Sequence, residues 1–220
     1  MLNNQLLIEL LYTFIIVSSS LFIYLKTKKL YSLTTHQGIR SFRDAFFYLG
    51  LAFIIRFILF LLPSFALGTT TLYPLGLGFN LLLFYTLSMG GFSLVYSLVW
   101  KHFHQRRIIL LHMVAIGISI IDVFYISKIF FIIQLVVLLY AISIMYSNYM
   151  SASTKSVFQQ SYFIALILAF IGYLTNFLVD VFVVSYPFIK YYAYIITVLV
   201  FMIFAFGVWR RLKWPKKENV

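Results

Sequence analysis

Seven long apolar runs, at approximately 5–25, 45–66, 71–100, 107–127, 129–149, 157–184 and 187–209, occupy most of this chain, with short polar segments between them. Crossing about 30 Å of hydrocarbon takes roughly 20 helical residues, and each run reaches that length. Lipid offers no water to the backbone, so each run has to satisfy its own N–H and C=O groups as a helix. The expected fold is therefore all-α: a polytopic transmembrane helical bundle of seven spans over residues 1–209, followed by a basic cytoplasmic tail over 210–220. Composition excludes the soluble alternative. Hydrophobic residues make up 63% of the 220 and charged residues 10%, against about 45–50% and about 25% in globular domains, too little charge to cover a core of this size. The absence of cysteine removes disulfides, thiolate metal sites and thiol nucleophiles.

The formal net charge of +12 is a footprint shared with nucleic-acid binders, but its distribution points elsewhere. Fourteen of the 17 basic residues fall in the segments after spans 1, 3, 5 and 7: Lys26, Lys28, Lys29, Arg40, Arg43, then Lys101, Arg106, Arg107, then Lys155, then Arg210, Arg211, Lys213, Lys216 and Lys217. With seven spans these all share one side, and the other side keeps Lys128 and Lys190. Cytoplasmic loops carry such an excess, so the N-terminus is expected outside and the C-terminus inside, with no role in binding nucleic acid. Trp100, Trp209 and Trp214 mark the same side, as interfacial rings do. The basic tail is expected to lie on anionic lipid headgroups at the cytoplasmic face. The loop over 26–44, the longest cytoplasmic segment, is the expected docking place for a cytoplasmic protein partner. No positive n-region precedes the first run, which reads as a retained span and not a leader.

Polar groups inside the runs are the informative ones, because a charge at the centre of a helix in lipid costs about 2.5–3.5 kcal/mol on insertion scales. Span 1 has Glu9, Thr13 and Ser20 on one side; span 2 has Arg56 near its middle; span 3 has Gly76 and Asn80 four apart. Span 4 sets His112, Ala115, Ser119 and Asp122 along one stripe, and span 5 carries Gln134. Span 6 sets Gly172, Asn176 and Asp180 at intervals of four, and span 7 has Lys190, Tyr194 and Thr197. The candidate ligand-binding or ion-pairing residues are thus Arg56, Asp180, Asp122, Asn176, Asn80, Lys190 and Glu9. Glu9, Asn80, Asp122, Gln134, Asp180 and Lys190 fall in the outer half, with Arg56 nearer the midplane, so the expected site is a polar pocket opening outward, with Arg56 and Lys190 set against Asp122, Asp180 and Glu9. The residues leave three chemistries open: an anionic or zwitterionic ligand on Arg56, a cation on the aspartates, or a proton on a buried carboxylate. A purely structural ion pair is the alternative for the groups near helix ends.

Other patterns carry less. His102 and His104 stand in a basic connector without a carboxylate or thiol nearby, so no metal or cofactor is expected. Ser18–Ser20 and the glycines of span 3 read as small residues that let helices approach, with a tilt, kink or break expected near Gly90 and Gly91. Spans 4 and 5 are separated by two residues and read as a tight hairpin or one bent element. A parallel three-plus-one-plus-three duplication fits seven spans. The layout resembles that of microbial rhodopsins, SWEET-type sugar transporters and the seven-span sensor regions of signalling kinases. Each resemblance is one of layout: Lys190 sits at the outer end of span 7, away from a Schiff-base position, and spans 1, 5 and 6 lack the prolines of the transporters. No compact catalytic set appears, so the expected function is non-enzymatic: a receptor or sensor-type module that binds a small polar or charged ligand. A small-solute or ion transporter and a structural membrane scaffold are the alternatives. The expected location is the plasma or cell membrane, crossed many times.

Overall fold

The computed structural model describes residues 2–65, 72–100, 107–125, 129–151, 157–182 and 187–213. They form seven helices: α1 (Leu2–Thr34), α2 (Gln37–Phe65), α3 (Leu72–Val99), α4 (Arg107–Tyr125), α5 (Ile129–Ser151), α6 (Val157–Phe182) and α7 (Pro187–Lys213). No strand occurs among the described residues, so the chain is an all-helical bundle. On length and apolar composition, five of these helices qualify to cross a membrane: α1, α2, α3, α5 and α7. The described apolar stretches of α4 and α6, Ile108–Phe124 and Tyr162–Leu174, are shorter. At 1.5 Å per residue the 19 residues of α4 reach about 28 Å.

Large apolar side chains face outward on all seven helices. Phe14 is 67% exposed, Met113 68%, Val136 60% and Ile195 57%, on four different helices. A belt of this kind on every side is a surface for lipid, because water-facing proteins seldom expose more than a few hundred Å² of contiguous apolar area. The protein is an integral, multi-pass membrane protein.

Helices α1, α2, α3, α5, α6 and α7 pack in that order into a closed ring, and α4 sits outside it, mainly on α3 and secondarily on α5. Exchanging α1–α3 for α5–α7 maps the neighbouring pairs of the ring onto one another, the order that a three-plus-one-plus-three arrangement produces. The centre of the ring is filled, not hollow. Phe42, Phe46, Tyr162, Phe201 and Phe204 are buried there, with ring centroids 4.9 Å apart for Phe42–Phe46 and 5.1 Å for Phe46–Phe204. The buried Tyr162 hydroxyl finds Ser97 Oγ at 3.1 Å, so the core carries its polar atom satisfied. A second cluster of Met89, Phe92, Ala115, Ile118 and Phe130 joins α3, α4 and α5.

Two expectations change, and one pair of alternatives is decided. The 26–44 segment is not a loop: residues 26–34 complete α1 and 37–44 begin α2, leaving only Thr35 and His36 between the helices. No proline or glycine interrupts 26–37, and both helices run past the apolar stretch, α1 to about 50 Å for its 33 residues. Helix α3 runs unbroken through Gly90 and Gly91, because both glycines face neighbours. A Cβ at Gly90 would lie 2.7 Å from Leu49 Cδ2, and one at Gly91 would run into Gln134 Oε1, so the pair admits α2 on one side and α5 on the other. Gly76 and Gly78 meet nothing within 4 Å. Finally, α4 and α5 are separate helices packed on each other; residues 126–128 lie outside the described ones. So do Lys101–Arg106 and the end of the basic tail, 214–220, whereas Arg210–Lys213 continue α7.

Candidate functional site

Two polar constellations lie in the bundle, at opposite ends. The first is closed. Glu9 is the eighth residue of α1 and Tyr194 the eighth of α7, while Arg56 lies nine residues before the end of α2, so all three stand about 10–14 Å from the end opposite to the basic one. Arg56 Nη2 donates to Glu9 Oε2 at 3.1 Å and to the Tyr194 hydroxyl at 2.6 Å, and that hydroxyl in turn donates to Glu9 Oε1. The guanidinium lies 5.0 Å from the Tyr12 ring centre and 4.9 Å from that of Tyr194, and the two rings stack at 4.2 Å. Glu9 is 5% exposed. Three helices thus share one ion pair whose hydrogen bonds and cation–π faces are internal. Chemically it is a clamp across α1, α2 and α7: the charges neutralise each other where lipid would not.

The second constellation is open. A cavity of about 200 Å³ lies between the first turns of α2 and α4 and the last turns of α3. Its polar wall comes from Gln37, Arg40, Ser41 and Asp44 on α2, Ser93 and Tyr96 on α3, and His112 on α4, with Tyr48 and Met89 deeper in. The local sequence explains the wall: 37, 40, 41, 44 and 48 recur at helical spacing and line one face of α2. His112 Nδ1 is 2.8 Å from the Tyr85 hydroxyl, and the Tyr48 ring stands edge-on to both. The rim is fixed by a close approach at Gly38, where a Cβ would lie 2.8 Å from Trp100 Cδ1 and 2.9 Å from Ser97 O. His36 packs its ring edge-on against the same Trp100 at 4.3 Å.

The expected site residues fare differently. Arg56 and Glu9 come together. Asp122 does not join them: its Oδ1 accepts from Phe130 N at 3.1 Å, at the start of α5. The first N–H groups of a helix have no intrahelical partner, and a carboxylate eight residues upstream, on the preceding helix, supplies one. Asn80 is partly buried on α3, which packs on α2, α4 and α5. The side chains of Asn176, Asp180 and Lys190 lie outside the described residues. The cavity described above opens at the basic end, while the expected outer pocket falls largely on side chains outside the described residues. Tyr12 and the cavity wall on α2 were missed by sequence reasoning. Tyr12 sits three residues after Glu9 on the same face, and Asp44 is a lone carboxylate between arginines, so both carried a signal. Among the described residues no group of three His, Asp or Glu side chains stands together for a metal.

No family model, curated protein or solved structure matches this chain.

Proposed function

We propose that this multi-pass membrane protein is a non-enzymatic receptor or sensor-type module that binds a small polar or charged ligand in the cavity between α2, α3 and α4. The observation that carries the reading is the cavity itself: about 200 Å³ of space walled by hydroxyl, amide, imidazole and charged groups from three helices. At about 30 Å³ per water-sized group it has room for some six or seven such groups, a headgroup-sized or metabolite-sized ligand. Helix α2 then links the ligand to the rest of the bundle, because it carries the cavity wall at one end and Arg56, the clamp to α1 and α7, near the other. By the distribution of lysine and arginine, the cavity faces the cytoplasm.

Thermal unfolding of the purified full chain in detergent tests this against a panel of small anions, cations and zwitterions. At least one member should raise Tm, and Ser41→Trp, which places a bulky ring at the cavity mouth, should abolish the rise while leaving the unliganded Tm close to wild type. A panel without effect on the wild type overturns the reading. A second reading, a small-solute carrier, is favoured by the ring order, since two exchangeable three-helix halves are what rocking-type carriers are built from. Solute flux in liposomes without any partner protein would select it.

A further inference from the structure

Among the described residues the charges around the cavity do not cancel, and their imbalance has a direction. Asp44 is held by Arg43, whose Nη2 and Nε donate to the same Oδ1 at 2.7 and 2.9 Å. Arg43 is itself fixed, with its guanidinium 5.5 Å from the Tyr24 ring centre and 5.6 Å from that of Tyr31, and its side chain only 17% exposed. Asp44 is therefore neutralised from outside the cavity. Arg40, which does line the cavity, reaches Asp44 only at 3.8 Å, beyond hydrogen-bond length. Its side chain is 51% exposed and makes no hydrogen bond among the described residues. Among the described residues Arg40 thus faces the space with only this long ion pair and no hydrogen bond to hold its donor fork.

Resting on the ligand-binding reading above, we infer that the cavity takes a phosphate group, with Arg40 as its principal contact. A phosphate presents acceptor oxygens in three dimensions, and the wall offers donors from three sides: Arg40 and Gln37 on α2, Ser93 on α3 and the imidazole of His112 on α4, while the Ser41 hydroxyl donates to Gln37 O at 3.2 Å. A planar carboxylate would meet fewer of them. An arginine fork is the side chain best matched to paired phosphate oxygens. The group comes either from a soluble phosphate compound or from the headgroup of a lipid in the same leaflet, and the chemistry of recognition is shared.

The experiment uses the full chain. Inorganic phosphate is titrated in detergent, with tetramethylammonium as the cationic probe, and Tm is followed. In parallel, the protein is placed in nanodiscs of phosphatidylcholine alone or of phosphatidylcholine with phosphatidic acid. Phosphate should raise Tm, and Arg40→Gln should weaken its binding roughly tenfold or more. Arg40→Lys should recover only part, because the fork is lost, and Lys28→Gln, an exposed charge at the same end, should leave binding unchanged. An effect of phosphatidic acid alone, lost in Arg40→Gln, supports the proposal with a lipid as the source. Stabilisation by tetramethylammonium and not by phosphate overturns the phosphate assignment while the ligand-binding reading stands. Equal weakening by Lys28→Gln and Arg40→Gln overturns it in favour of general charge attraction. No response to any probe overturns both readings. Arg40 is half exposed, so the variants are expected to fold, and the unliganded Tm of each serves as the check.

Discussion

Arg56 Nη2 lies 3.1 Å from Glu9 Oε2, across 47 residues of sequence, and the Tyr194 hydroxyl closes the pair into a triangle that spans α1, α2 and α7. The pair is internal to the bundle, with the Glu9 side chain 6% and the Arg56 side chain 31% exposed. Removing one member leaves a buried charge uncompensated, which costs far more than the pair contributes when intact.

Arg56→Gln and Glu9→Gln are each expected to destabilise the protein by about 3 kcal/mol, the lower end of the range for a broken buried pair because Arg56 retains some exposure. The double variant should lose clearly less than the two singles together, since it buries no net charge. A double-mutant cycle by reversible unfolding in mixed micelles checks this. Additive losses would mean that the two side chains do not act on each other. Tyr194→Phe keeps both ring faces and removes the hydroxyl, so its loss should be near 1 kcal/mol, in the range of single hydrogen bonds between membrane helices.

The glycines divide by what faces them. Gly38→Ala places a methyl 2.9 Å from Ser97 O, a backbone atom that has nowhere to go, and 2.8 Å from Trp100. It should cost about 1–3 kcal/mol, as overpacking does, and shift Trp100 fluorescence. Gly76→Ala meets nothing within 4 Å and should be neutral or add roughly 0.5–1 kcal/mol through helix propensity. Unfolding midpoints of the two variants, read side by side, distinguish a packing glycine from an idle one.

Much of this architecture is legible in the sequence because lipid imposes two rules that leave residue-level traces: each span is long and apolar, and polar groups within it turn inward. Those rules place seven helices, though α1 runs nine residues past its expected end and α2 starts eight before its expected beginning, and they put Arg56 and Glu9 among the candidates with Asp122, Asp180 and Lys190. What the rules do not carry is which inward-turned groups meet. Asp122 and Glu9 look alike in sequence, each a carboxylate near a helix end. Glu9 sits in the ring where α2 crosses α1, whereas Asp122 sits on α4, outside the ring, and bonds to the helix that follows it. The cavity was hidden for a different reason. Its wall comes from the first turns of α2, and a segment rich in Arg, Ser, Gln and Asp reads as a loop until the helix is seen to continue through it.

Because Asp122 belongs to the α4–α5 hairpin, its loss should be local. Asp122→Ala should cost about 1 kcal/mol, the usual loss of a helix cap, and Asp122→Asn less, since an amide oxygen still accepts from Phe130 N. Combined with Arg56→Gln, the cost of Asp122→Ala should add within about 0.5 kcal/mol, as for sites that share no partner. Strong coupling between the two would instead place both residues in one network.

The connector between α1 and α2 offers the sharpest backbone test. Thr35 has φ 51°, the left-handed region that a β-branched residue rarely adopts. It does so to end α1: Thr35 N bonds to Tyr31 O at 2.8 Å, and the following His36 carbonyl accepts from Ile39 N and Arg40 N to start α2. Left-handed geometry costs an ordinary residue about 1–2 kcal/mol, and glycine avoids that while losing roughly 0.5–1 kcal/mol through the freer unfolded chain. Thr35→Gly should therefore stabilise by about 0.5–1 kcal/mol and leave the cavity unchanged, since the backbone it favours is already present. Thr35→Pro demands φ near −65° and removes the N–H that closes α1. It should separate His36 from Trp100, lower Tm by several degrees, and weaken binding to the cavity whose wall α2 supplies. Equal Tm for the glycine, proline and wild-type proteins would show that this two-residue turn does not set the position of α2.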